Sequence, residues 1–143
     1  MAAPGLERFV AAQEPVYAQV LTELAAGAKR SHWMWFIFPQ IAGLGRSETA
    51  RFYAIAGLDE ARDYLAHPVL GPRLAECTDA MLGWAGKRSA EAILGPVDAM
   101  KFASSMTLFE AAGGDGRFAR ALESFYGAKR DEQTLALIAA SGQ

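Results

Sequence analysis

The sequence predicts an all-α fold, a single multihelical domain with two buried central helices. Three observations predict it. Apolar residues recur at steps of three and four along several stretches, the spacing that lines up one face of a helix. Two segments, 33–38 and 96–112, are apolar on nearly every side, as helices enclosed by the rest of a chain must be. No second β-rich segment exists with which the run 33–38 can pair as a strand.

Leu6, Phe9 and Val10 predict a short first helix. Pro15 opens a second, because its missing N–H is not needed at a first helical position. Val16, Tyr17, Val20, Leu21 and Leu24 form the apolar stripe of that helix, Gln19 and Glu23 lie outside it, and Gly27 is its stop. Ser31 is placed to cap a third helix carrying His32-Trp33-Met34-Trp35-Phe36-Ile37-Phe38, which Pro39 ends.

Gly43-Leu44-Gly45 reads as a loop, and Ser47 caps a helix that runs through Tyr53. Residues 59–66 form another short helix, stopped by His67-Pro68. Leu70, Leu74, Cys77, Met81 and Trp84 then repeat at steps of four, three, four and three, the clearest amphipathic pattern in the chain. Residues 89–94 add one more turn.

The segment 96–112 shows Val97, Met100, Thr107, Leu108 and Ala111 on one side and Phe102, Met106 and Phe109 on the other. It leaves little surface for water, and Gly113 and Gly114 end it. Phe118, Leu122 and Phe125 mark a further helix. Asp131 caps the last one, packed by Leu135, Leu137 and Ile138.

Composition fits this reading. A chain of 143 residues suits one domain over 1–143. A chain of that length buries about 70% of the surface its unfolded form exposes, so it needs no metal or disulfide staple. The 52% hydrophobic and 21% charged content is that of a packed protein. Fourteen basic against sixteen acidic residues, spread along the chain to a net charge of −2, argue against nucleic acid and anionic membranes as partners.

The single cysteine, Cys77, leaves no internal disulfide and fits a reducing compartment. Residues 1–10 lack the apolar run of a signal peptide and carry Glu7 and Arg8, and no apolar run is long enough to span a membrane. The expected location is the cytoplasm.

One string is long and specific: Lys29-Arg30-Ser31-His32-Trp33-Met34-Trp35-Phe36-Ile37-Phe38-Pro39-Gln40, followed by Gly43-Leu44-Gly45. Ser104-Ser105-Met106-Thr107-Leu108-Phe109 and His67-Pro68-Val69-Leu70-Gly71 add to it. Together these resemble a family of small, uncharacterised, mainly bacterial proteins known as a domain of unknown function, over roughly 6–137. The resemblance implies a multihelical fold with buried central helices. It brings no established activity and no catalytic residue. Some genome records call such proteins calpastatin, a disordered protease inhibitor, and a chain with three tryptophans and this apolar content cannot behave as one.

Three features suggest where chemistry sits. Lys29, Arg30, Ser31 and His32 stand at the predicted start of the apolar helix beside Trp33, where free N–H groups and the dipole favour an anion. The ordinary alternative is that Lys29 and Arg30 complement the end of the preceding helix and lie in solvent. The loop Gly43-Leu44-Gly45-Arg46-Ser47 can turn N–H groups toward a phosphate, yet lacks the lysine and spacing of a P-loop, and a plain turn explains its glycines as well. Lys101, Ser104 and Ser105 share a helix face, and a lysine on so apolar a helix must reach water, a carboxylate or a bound anion. The serines can instead bond carbonyls one turn back.

If these converge, Trp33, Trp35 and Phe38 supply apolar walls for a small phosphorylated or nucleotide-like ligand. Gln40 either reads a ligand amide or caps a broken helix end. Two histidines, His32 and His67, and one cysteine give no metal-ligand spacing, so neither a metal nor a cofactor is expected. Ser105, His32 and Asp98 can be imagined as a Ser-His-acid set, but no nucleophile-elbow motif supports it and Asp98 suits the first turn of a helix anyway.

Two function classes follow. One is a small-ligand-binding protein, with or without an enzymatic reaction. The other is an interaction domain, monomeric or a small homo-oligomer, in which the aromatic cluster is only core. The first puts Lys101, Ser105, His32 and Arg30 in one concave cleft. The second leaves an exposed apolar patch larger than about 400–600 Å².

Overall fold

The structure, a computed structural model, describes residues 5–141. Among them the chain forms ten helices: α1 Glu7–Gln13, α2 Tyr17–Ala26, α3 Met34–Ile37, α4 Glu48–Phe52, α5 Leu58–Ala66, α6 Leu70–Leu82, α7 Ala90–Leu94, α8 Pro96–Ala111, α9 Gly116–Tyr126 and α10 Glu132–Ala140. The only extended pairing among the described residues is an isolated bridge between Ile41 and Ile55, where Ala42 N–H donates to the Ile55 carbonyl at 2.8 Å. The fold is all-α, as its periodicity predicts.

The predicted caps at Ser47 and Asp131 form, and Ser89 caps α7 in the same way. Their side chains accept from the N–H groups of Ala50, Ala92 and Thr134 at 3.1, 3.0 and 3.0 Å. Asp115 does the same for α9, accepting from Arg117 N–H at 3.1 Å. His67 ends α5 and caps α6, its Nδ1 accepting from the N–H groups of Val69 and Leu70 at 3.1 and 3.2 Å. Gly27 closes α2 with φ 68°, and a Cβ there would lie 2.9 Å from the Trp84 ring, so both backbone and packing demand glycine.

α8 is the longest helix and packs against α3, α5, α7, α9 and α10. From Ser104 to Phe109 every residue is buried, which an element covered on all sides requires. Phe102 lies in the core between Phe38, whose ring centroid is 4.8 Å away, and Phe125 at 6.2 Å. Phe9, Tyr64 and Phe109 continue the aromatic core toward α1 and α5.

Five expectations need correcting. α2 starts at Tyr17 rather than Pro15, which lies in the turn before it, because Val16 at φ −123° is not yet helical. Glu23 is not on the outside of α2 but buried. The second central helix, α8, is as expected, but the first is one turn only, because Ser31 does not cap it. Ser31 N–H, Ser31 Oγ and Arg30 N–H all bond the Glu23 carboxylate, which holds residues 30–31 in a non-helical path until Met34. Finally, α8 is enclosed only over its later turns: Val97 and Met100 are 65% and 71% exposed, and Leu135 on α10 is exposed as well.

Candidate functional site

Where α7 hands over to α8, Gly95 adopts φ 91°, a conformation other residues rarely reach, and Pro96 takes the first helical position. This turn aims the first turn of α8 at the segment 29–35. Between them lies a cleft of about 320 Å³, lined by Lys29, His32, Asp98 and Lys101 and by the apolar residues Trp33, Met34, Trp35, Leu94 and Val97. In the first turn the N–H groups of Val97 and Asp98 have no acceptor one turn back within the helix.

The cations are placed by two distant parts of the chain. Lys29 N–H donates to the Ile93 carbonyl at 2.8 Å, which ties the segment to α7. Lys29 Nζ then lies 2.8 Å from Asp98 Oδ2 and 5.1 Å from the centre of the Trp33 ring, with the side chain only 8% exposed. Lys101 Nζ lies 3.7 Å from Asp98 Oδ1 and 5.0 Å from the centre of the Trp35 ring, and its side chain is 26% exposed. One carboxylate therefore sits between two ammonium groups, each over an indole face.

Behind the cleft, Glu23 holds the segment in place. Its carboxylate accepts from Ser31 Oγ at 2.6 Å, from the N–H groups of Arg30 and Ser31 at 2.8 and 3.1 Å, from Trp33 Nε1 at 2.9 Å and from Gln19 Nε2 at 2.8 Å. Burial alone would raise its pKa, but the donors from Ser31, Arg30, Gln19 and Trp33 outweigh it and hold the group down at about 2. Glu23 positions Lys29 and Trp33 and does not itself reach the cleft lining.

Of the residues singled out in the sequence, Lys29, His32, Trp33 and Lys101 share this cleft, His32 at its exposed rim. The others lie elsewhere. Arg30 and Ser31 are bound to Glu23 through their N–H groups, with the Arg30 side chain exposed and outside the cleft lining. Gln40 supplies a carbonyl that accepts from Ile55 N–H at 2.9 Å. Arg46 lines a separate hollow with Gly43, Leu44, Gln133, Ala136 and Leu137.

Ser104 bonds the Met100 carbonyl at 3.2 Å and Asp131 Oδ2 at 3.2 Å, and Ser105 is fully buried in the core with no partner. Shared helix face does not mean shared site here. Lysine side chains on a helix lean toward its N-terminus, so Lys101 reaches back to Asp98 while the serines lie one turn further on. Trp33 and Phe38 are buried and offer a ligand no ring face, which leaves Trp35 as the half-exposed aromatic wall.

Sequence reasoning set Asp98 aside as a first-turn residue and placed Glu23 on the outside, so it assigned neither to the site. The i, i+3 spacing of Asp98 and Lys101 was the available signal for the first. For Glu23 the only local signal was Gln19 one turn earlier, since its other donors come from residues seven to ten positions later. Nucleophilic chemistry at Cys77 is unsupported: burial pushes its thiol up to about 12, where it carries no thiolate at neutral pH. Among the described residues, no group of histidines, cysteines and carboxylates can hold a metal ion, and no helix is long and apolar enough to cross a membrane.

The family described as "Protein of unknown function (DUF1810)" matches residues 3–138. The chain belongs to this family. The resemblance read from the 29–40 string thus holds. No curated protein matches. Among solved structures, the chain is similar to the conserved hypothetical protein Rv1873 from Mycobacterium tuberculosis, whose crystal structure was determined at 1.38 Å. The two are 51% identical, with 94% of this chain and 96% of that one covered and a TM-score of 0.90. Neither description states an activity, and the function is unknown.

Proposed function

We propose that this chain binds a small anionic ligand in the cleft between the segment 29–35 and the first turn of α8. The observation that carries the reading is the convergence of Lys29 and Lys101, from segments about seventy residues apart, on one carboxylate at the edge of an apolar cleft. Nothing in the fold alone requires a second lysine there, since Lys29 already neutralises Asp98 at 2.8 Å. The cleft holds roughly ten waters' worth of space at about 30 Å³ each, enough for a metabolite of modest size. The lone cysteine Cys77, buried and unpaired, supports a reducing compartment such as the cytoplasm as the place where this happens.

Native mass spectrometry of the protein as purified, with a thermal-shift panel of small carboxylates and phosphates, tests the reading. A retained small molecule or a shift of several degrees that Lys101→Met removes is the expected result. No bound molecule and no shift with any anion overturns it.

A second reading is favoured by one observation. Val97 and Met100, three residues apart on α8 and both well exposed, form an apolar pair beside the cleft that suits contact with a protein partner or a second copy of this chain. Sedimentation velocity of the wild type and of Met100→Glu separates the two: a dimer lost in the variant supports contact between copies.

A further inference from the structure

We propose that the cleft selects a monoanion with an apolar body, and that Asp98 sets this limit. The proposal rests on the anion-binding reading above and narrows it to a substrate class, carboxylates rather than phosphate monoesters.

The argument is a charge balance. Two ammonium groups and one carboxylate leave the cleft with a single net positive charge. That charge is not shared evenly. Lys29 is pinned: its amide is tied to Ile93, its ammonium is 2.8 Å from Asp98 Oδ2, and its side chain is almost wholly enclosed. Its charge is spent on Asp98. Lys101 stands at the longer distance of 3.7 Å from Oδ1 and keeps more contact with solvent, so it is the cation able to turn toward a ligand.

A carboxylate on Lys101 and the free N–H groups of the first turn of α8 leaves the cleft neutral. A phosphate monoester brings close to two negative charges at neutral pH. The second charge would lie beside the Asp98 carboxylate, among Trp35, Met34, Leu94 and Val97, with no cation left to meet it. The same apolar wall favours a ligand whose remaining atoms are hydrocarbon or a flat ring rather than a polar sugar. Asp98 thus acts as a specificity-determining residue: it neutralises one lysine and repels the surplus charge of a dianion. The phosphorylated ligand suggested by the sequence is disfavoured by this arrangement.

The test uses benzoate and phenyl phosphate, which share one ring and differ in charge, with benzamide as the neutral control. Two-dimensional NMR titration of the wild type at about pH 8, where phosphate monoesters are dianions, should show benzoate shifting the signals of Trp35 and Lys101. Phenyl phosphate should bind more weakly by about tenfold or more, the size expected of one uncompensated charge in a partly desolvated site. Asp98→Asn should close or invert that gap.

Should Asp98→Asn not fold, the wild type at about pH 5 serves instead, because phenyl phosphate is a monoanion below its second ionisation near about pH 6. Its affinity relative to benzoate should then rise. Phenyl phosphate binding the wild type as tightly as benzoate at the higher pH overturns the charge limit and leaves the anion cleft standing. A gap that persists in a folded Asp98→Asn overturns the role of Asp98. If benzoate and phenyl phosphate both leave the cleft signals unmoved, or benzamide matches benzoate, the anion-binding reading falls and the charge limit falls with it.

Discussion

Glu23 and Asp98 engage the same short segment, one from α2 and one from α8, and they are solvated in different currencies. Glu23 is 3% exposed and surrounded by neutral donors: two backbone N–H groups, a hydroxyl, an indole and an amide. Its coordination is complete, so it can only hold structure. Asp98 faces two ammonium groups of unequal distance at the edge of a cleft, and its surroundings keep room for another charged group. A saturated carboxylate is an anchor, whereas a carboxylate with an excess of positive charge around it marks a place where an anion can be received.

The sharpest way to break the comparison is to remove the anchor. Glu23→Ala strands the Trp33 indole, the Ser31 hydroxyl and two amides, and should cost about 3–5 kcal/mol in chemical denaturation, with Phe102→Ala in the core costing a similar amount. A loss below about 1 kcal/mol for Glu23→Ala would show that the segment 30–33 does not depend on it.

Acid should do reversibly what that substitution does permanently. Because the folded pKa of Glu23 is depressed from 4.5 to about 2, its contribution is fully present above about pH 4.5 and is lost as pH falls toward 2. A depression of that size corresponds to roughly 3 kcal/mol. Stability measured against pH should therefore fall less steeply in Glu23→Gln than in the wild type over that window, and parallel curves would contradict the assignment.

Trp35→Ala should cost less than Phe102→Ala, about 1–2 kcal/mol, because Trp35 is half-buried and shares one face with Lys101. The smallest effect belongs to the cleft itself. Lys101→Met should change stability by less than about 0.5–1 kcal/mol, since its pairing with Asp98 is loose and partly solvated. That same variant should lose whatever anion the cleft holds. A large stability loss on Lys101→Met would make the lysine structural and weaken the case for a ligand.

Much of the fold was readable because helix signals are local. The stripe through Leu70, Leu74, Cys77 and Met81, the caps at Ser47 and Asp131, and the enclosed turns of α8 each arise from residues within a few positions of one another. The candidate site was only partly readable. Lys101 drew notice because a cation among apolar residues needs a partner, and Lys29 because it precedes a predicted helix start, but their common partner, Asp98, had a sufficient local explanation at the start of a helix. Ser31 looked like a cap because no local rule shows that a glutamate eight positions earlier will claim its hydroxyl.

The chain's own order of residues therefore determined the helical class, the places where helices stop, and the need for a buried centre, since spacing, caps and glycines act within a turn or two. Tertiary structure alone decided that Glu23 would be enclosed, that the first apolar segment would shorten to a single turn, and that two lysines would meet at one aspartate while the serines near Lys101 turned away. Those outcomes depend on which carboxylate wins a given donor once distant segments are packed together, and that competition is settled by three-dimensional proximity and desolvation rather than by neighbours along the chain.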